Sequence, residues 1–203
     1  MDTNFNHEQS LALINEMISQ ARNNLQKERT YSLIFWGSVV ALISLINCLL
    51  INILTTSEQS FLIWLLIFPA WGVSYFIDRS IDRSALVKTH IDKIGDMVWK
   101  GFGIGVLVFV LIINVVAHLT ENYQMMMLIN SVIMVIVGIC EFASACIYRH
   151  KPWYWVAVLF WAGALSCAFL EVDIQFIVLA VCMIFGFVVP GYMLNRKSKR
   201  SDV

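Results

Sequence analysis

The sequence predicts an all-α fold: a polytopic membrane bundle of six transmembrane helices with an N-terminal cytoplasmic amphipathic helix. Three observations predict it. The 203 residues are 59% hydrophobic and only 14% charged, with a mean hydropathy of +0.74, where soluble domains carry about a quarter charged residues. The apolar residues stand in long unbroken blocks, each near the roughly 20 residues a helix needs to cross the bilayer core. The charged residues stand between those blocks and are sorted by sign.

In chain order, residues 1–30 are polar and read as a cytoplasmic helix. Leu11, Ile14, Ile18, Ala21 and Leu25 recur at spacings of three and four, which places them in one stripe of a helix. Asn6 followed by Gln9 resembles a capping box. The stripe is a candidate interaction face, open to the membrane surface, to a second copy of the chain, or to another cytoplasmic helix. The segment lacks the short apolar region of a secretory signal, so the first span is expected to act as its own insertion signal.

Residues 31–194 form the membrane domain, with spans at about 31–54, 61–77, 98–119, 125–147, 153–170 and 174–194. Helices are expected because backbone exposed to lipid must satisfy its hydrogen bonds internally. Residues 78–97 form a cytoplasmic helical loop in which Ile81, Ile91 and Ile94, with Ile77 just before it, suggest one buried side. Pro152 stands where the fifth helix begins, and Asp173 stands where a carboxylate can cap the sixth. Pro69 and the pair Pro190-Gly191 are candidate breaks in the second and sixth helices. Residues 195–203 are a basic tail.

Charge sets the orientation. The connections around residues 55–60, 121–124 and 171–173 contain no Lys or Arg, and all 14 basic residues fall in the N-terminal segment, loops two and four with their flanks, and the tail. The excess of Lys and Arg marks the cytoplasmic side, so both termini are expected in the cytoplasm. Tyr31, Trp36, Trp99, Tyr148, Trp153, Tyr154, Trp155 and Tyr192 gather at the cytoplasmic helix ends, as an interfacial aromatic belt does.

The candidate site lies inside the membrane. Glu141 interrupts the fourth apolar run, eight residues before Arg149, or about 12 Å of helix. An acid at mid-membrane costs about 2.5–3.5 kcal/mol on insertion scales, so it is expected to face other helices, a cavity or water. Gly138, Glu141, Ser144 and Ala145 share one broad side, and Asn130, about three turns earlier, falls near the same face. If the third and fourth spans turn around Asn122, residue 141 stands opposite Gly103 in "KGFGIG", within reach of Lys100. Lys100 then either contacts Glu141 or, as favoured here, extends to the headgroups. Asn47, Asn114 and His118 belong to the outer half, where they can bond one another.

No catalytic residues are expected. The sequence lacks a phosphate-binding loop, zinc-protease helix and nucleophile elbow. Cys48, Cys140, Cys146, Cys167 and Cys182 all lie in apolar runs and form no C-x-x-C pair, so they read as packing residues. Met125-Met126-Met127 near His118 raises soft-metal capture only in outline, and no metal or cofactor is expected. The tail suits anionic lipid and requires no nucleic acid. Partners are expected to be the bilayer, a second copy, or a cytoplasmic protein.

The stretch "SLALINEMISQARNNLQKERTYSLIFWGSVV" and the "FPAWG" of the second span resemble an uncharacterised family of small multi-span bacterial inner-membrane proteins. The resemblance implies a bacterial inner-membrane setting and a cytoplasmic lead-in helix, and it assigns no activity. The expected function is a non-enzymatic interaction or regulatory protein presenting its cytoplasmic helices. The alternative is a small oligomeric transporter or channel using the Asn130–Glu141 seam.

Overall fold

The computed structural model describes residues 7–53, 61–82, 90–148 and 152–201, and these residues contain no strand. Asn6 of the capping box, the middle of loop two (83–89) and residues 149–151 lie outside the described residues, as do the last two residues of the tail. Helix α1 runs from His7 to Ile53. A 3₁₀ turn over Phe61–Leu66 leads into α2, Ile67–Asp82. Helix α3 spans His90–Thr120. A second 3₁₀ turn, Tyr123–Met127, leads into α4, Leu128–Tyr148. Helix α5 is Pro152–Cys167. Helix α6, Val172–Met183, passes through a π-helical turn at Ile184–Val188 into α7, Val189–Ser201.

Four stretches are long and apolar enough to cross a membrane: Thr30–Ile53, Lys93–Thr120, Tyr123–Tyr148 and Val172–Arg196. Two further apolar helices, Leu62–Ile77 and Trp153–Cys167, are shorter.

Element boundaries differ from expectation where the local chemistry gives no stop. Residue 30 is not a helix end, because Glu28-Arg29-Thr30-Tyr31 offers neither Gly nor Pro and α1 continues through it. Loop two is partly absorbed by its neighbours: α2 extends to Asp82 and α3 begins at His90. The N-cap of α6 is Glu171, which makes no side-chain cap bond, and Asp173 sits in the first turn.

Both internal prolines mark departures from regular helix. Pro69 lies in the first turn of α2, directly after the 3₁₀ segment, where a missing N–H is tolerated. Pro190 follows the π turn by two residues. Its ring crowds the carbonyl of residue 186 and removes one ladder bond, and the wider π turn relieves that crowding.

The α3–α4 hairpin turns at Asn122, as the sequence predicts. Asn122 N–H bonds Ala117 O at 3.1 Å, and its Oδ1 accepts from Gln124 N–H at 3.2 Å. The preceding residue, Glu121, takes the left-handed conformation that ends many helices, with φ 52°.

The centre of the molecule is the α4–α5 hairpin together with α1 packed on the α6–α7 rod. Its core includes Met134, Val137, Phe160, Leu179 and Phe187. The rings of Phe160 and Phe187 approach to 5.4 Å. Glycines permit the closest approaches: a Cβ on Gly37 would stand 2.7 Å from Phe187 Cβ, and one on Gly138 would overlap the Trp161 indole. Helices α2 and α3 flank this centre. Helix α3 touches it through Gly95 beneath Tyr148, Trp99 against Phe187, Phe102 against the core, and fully buried Ala117. Only 6% of its most apolar window is buried.

Candidate functional site

The inward row of α4 comprises Asn130, Met134, Val137, Gly138, Cys140, Glu141, Ser144 and Ala145, all buried. The row follows from helical period, since most of these residues recur at three- and four-residue spacings. Glu141 is 1% exposed, Ser144 0% and Asn130 6%. The polar groups that the sequence places on one side of this helix therefore lie within the packed bundle.

Asn130 and Glu141 do not form a continuous polar chain. Between them the row is filled by Met134, Val137 and Gly138. Asn130 instead reaches across to α6, where its Nδ2 donates to Gln175 Oε1 at 3.5 Å. Gln175 is itself 3% exposed and its Nε2 donates to Cys167 O at 2.9 Å and Leu170 O at 3.1 Å. Sequence reasoning missed Gln175. Its signal is present in the sequence, as an amide inside the sixth apolar run two residues after Asp173.

Lys100 is exposed, and a Cβ on Gly101, Gly103 or Gly105 would meet nothing within 4 Å. The three glycines of "KGFGIG" thus face open space, while Phe102 between them is partly buried and packs against the core. Gly138 receives the close contact instead, beneath Trp161, whose Nε1 donates to Val135 O at 3.3 Å.

The other intramembrane amides and hydroxyls are mostly satisfied within their own helices. Ser44 donates to Val40 O, Asn114 to Val110 O and Ser166 to Ala162 O, each one turn back. Asn114 therefore bonds its own backbone and His118 is exposed, which replaces the expected pairing between them. Asn47 differs. It is fully buried, and neither amide atom has a hydrogen-bond partner among the described residues.

Ser144 lies one turn from Glu141, yet its Oγ makes no hydrogen bond among the described residues, whereas an activated serine is held by its base. The described residues contain no group of three or more His, Cys, Asp or Glu side chains placed to hold a metal ion, and all five cysteines are free.

Two further features lie nearer the chain termini. A half-open groove of about 240 Å³ between α1 and α2 is lined by Tyr31, Ser32, Ile34, Phe35, Ser74 and Ile77. Beside it Trp36 Nε1 donates to Ser74 Oγ at 3.2 Å. The stripe positions Leu11, Ile14, Ile18, Ala21 and Leu25 fall on the backbone of α1, and their side chains lie outside the described residues.

The fold defines the class of an all-helical bundle in which four helices are long and apolar enough to cross a membrane. Comparison with protein-family models, curated proteins and solved structures gave no match to this chain.

Proposed function

We propose that the chain is a six-span inner-membrane protein with a non-enzymatic interaction or regulatory role. In this reading the cytoplasmic part of α1 is presented to a protein partner or to a second copy. One observation carries the reading: α1 is a single helix from His7 to Ile53. Residues 7–29 therefore continue the direction of the span, reaching about 34 Å past residue 30 at 1.5 Å per residue. A helix lying flat on the membrane needs a sharp turn at its junction with the span, and such kinks have identifiable breaks, of which α1 has none at that point. A projecting apolar stripe in water is stabilised by pairing with another apolar surface.

Six spans are supported by reach. The 3₁₀ turn rises about 2 Å per residue, so residues 61–77 extend about 29 Å, close to the roughly 30 Å of hydrocarbon. Helix α5 is shorter, and the turn at 168–170 adds to it. The one-sided distribution of Lys and Arg supports cytoplasmic termini. The sequence resemblance supports a bacterial inner membrane. The burial of Glu141 and Ser144 supports their role as contacts between helices rather than as the lining of a solute path.

The test is site-specific photo-crosslinking in intact membranes. Probes at Ile14 and Ile18 are expected to form adducts, with the chain itself or with another protein. Probes at Gln20 and Asn23, on the opposite side of the helix, are expected to form few. Equal yields on both sides would overturn the reading. For the path, Glu141→Gln is expected to leave pH-dependent solute flux in proteoliposomes unchanged, and a changed flux would favour the transporter.

A further inference from the structure

Sulfur is concentrated where α4, α5 and α6 meet. Met134 is 0% exposed, Cys167 1% and Cys182 3%. Cys167 Sγ lies 3.9 Å from Met134 Sδ. A Cβ on Gly163 would overlap Met134 Cε and stand 2.7 Å from Cys182 Sγ. The methionine side chain therefore bridges from one thiol toward the other, over the notch left by this glycine. Cys167 is also held in place, because Gln175 Nε2 donates to its carbonyl.

We propose that Met134 and Cys167, with Cys182 beyond them, form a binding site for the soft monovalent ion Cu(I). Three arguments support this assignment, and none depends on the function proposed above. The first is donor chemistry. Thiolate and thioether sulfur select Cu(I), while zinc requires four ligands of a kind not clustered among the described residues. Cu(I) is stable with two or three sulfurs. The second is reach. Metal–sulfur bonds are about 2.3 Å long, and Cys167 Sγ, which donates its hydrogen to Met134 Sδ, stands 3.9 Å from it, so the two sulfurs could hold one ion in place of that hydrogen. The third is charge. On binding, Cys167 releases its thiol proton to water and forms a sulfur–copper bond, while Met134 donates a lone pair. Thiolate and Cu(I) cancel, the oxidation state is unchanged, and the neutral complex avoids the large cost of a bare charge in an apolar core.

An entry side is present. Cys167 is the last residue of α5, beside the turn to α6. Met127, half exposed, ends the 3₁₀ turn that leads into α4, seven residues before Met134.

The experiment uses the full chain in detergent micelles, with Cu(I) buffered by a chromogenic chelator under reducing, oxygen-free conditions. One Cu(I) per chain is expected, with sulfur-only coordination in X-ray absorption. Cys167→Ser and Met134→Leu are each expected to weaken retention at least tenfold. Cys146→Ser, on the exposed side of α4, is expected to leave it unchanged. Because a core variant can also fail to fold, the wild-type chain supplies a second readout: Cu(I) is expected to raise its unfolding temperature. Loss of all copper to the chelator, or an unfolding temperature that does not move, would show that these sulfurs serve packing only. Retention equal in the Cys167→Ser/Met134→Leu double variant would place the copper elsewhere and overturn the assignment.

Discussion

Gln175 Nε2 donates to the carbonyl oxygen of Cys167 at 2.9 Å. The same amide nitrogen reaches Leu170 O at 3.1 Å, and its oxygen faces Asn130 Nδ2 at 3.5 Å. A helix leaves its last carbonyls without partners in its own ladder. One side chain on α6 thus closes the end of α5 and reaches α4. Three helices meet at a side chain that is 3% exposed.

Gln175→Leu is therefore expected to destabilise the bundle by about 1–3 kcal/mol, the cost of leaving buried polar groups unmatched. Asn130→Ala is expected to cost less, because its bond to Gln175 is the longest of the three. Thermal unfolding of both variants in detergent, followed by circular dichroism, checks the order. A reversed order would remove Gln175 from its central place.

Glu121 gives the opposite sign. It holds φ 52° at the end of α3, and it is exposed. The left-handed conformation costs an L-residue about 1–2 kcal/mol, which glycine avoids. Glycine also adds freedom to the unfolded chain, which offsets part of that gain. Glu121→Gly is expected to raise the unfolding temperature slightly, and Glu121→Val to lower it. If Val were as stable as Gly, the hairpin would not depend on this conformation.

Glycines divide into two groups that the sequence alone does not separate. Gly138 lies beneath Trp161, while Gly101, Gly103 and Gly105 face open space. Gly138→Ala is expected to destabilise by about 1–3 kcal/mol, the usual cost of overpacking a core. Alanine at the other three positions is expected to be neutral or mildly favourable, since alanine is the better helix former by about 1 kcal/mol. Comparing the four single variants by unfolding temperature is sufficient. A loss at Gly103 matching that at Gly138 would mean that α3 packs more closely than its open surface indicates.

What was legible in the sequence follows from this contrast. Helical period alone places Gly138, Glu141, Ser144 and Ala145 on one side of α4, and all four are buried. The turn at Asn122 was legible because a short polar stretch between two apolar runs permits little else. Partners across helices were not. Period fixes which residues share a face, but the helix that covers that face depends on three-dimensional packing. Placing Gly103 opposite Glu141 assumes that α3 lies flush against α4 there, whereas a Cβ on Gly103 would meet nothing within 4 Å. Asn130 found its partner 45 residues away, a distance that no local pattern encodes. The continuity of α1 was hidden for another reason. The change from polar to apolar composition near residue 30 marks a change of solvent, not a helix end.

The seating of α7 against α1 gives the last prediction. A Cβ placed on Gly191 would lie 3.4 Å from Leu33 Cβ, close to the 3.5–4.5 Å typical of disulfide-linked cysteines, about 3.8 Å on average. In a background lacking the five native cysteines, Leu33→Cys with Gly191→Cys is expected to form a disulfide under mild oxidation. Ile34 Cγ1 stands 2.7 Å from the same position, so Ile34 must change its χ1 rotamer to admit the new side chain. Pro190 then supplies a second arm. Its missing N–H and its ring accompany the π turn at Ile184–Val188, and that turn sets the rotation of every residue after it. Pro190→Ala restores the donor, and reversion of the π turn to α-helix would remove one inserted residue and rotate α7 by about 100°. Residue 191 would then point away from Leu33, and the crosslinking yield is expected to fall. Gel mobility under non-reducing conditions reads both arms. Efficient crosslinking that persists in the Pro190→Ala background would mean that α1 packing, and not the proline, holds the π turn in place.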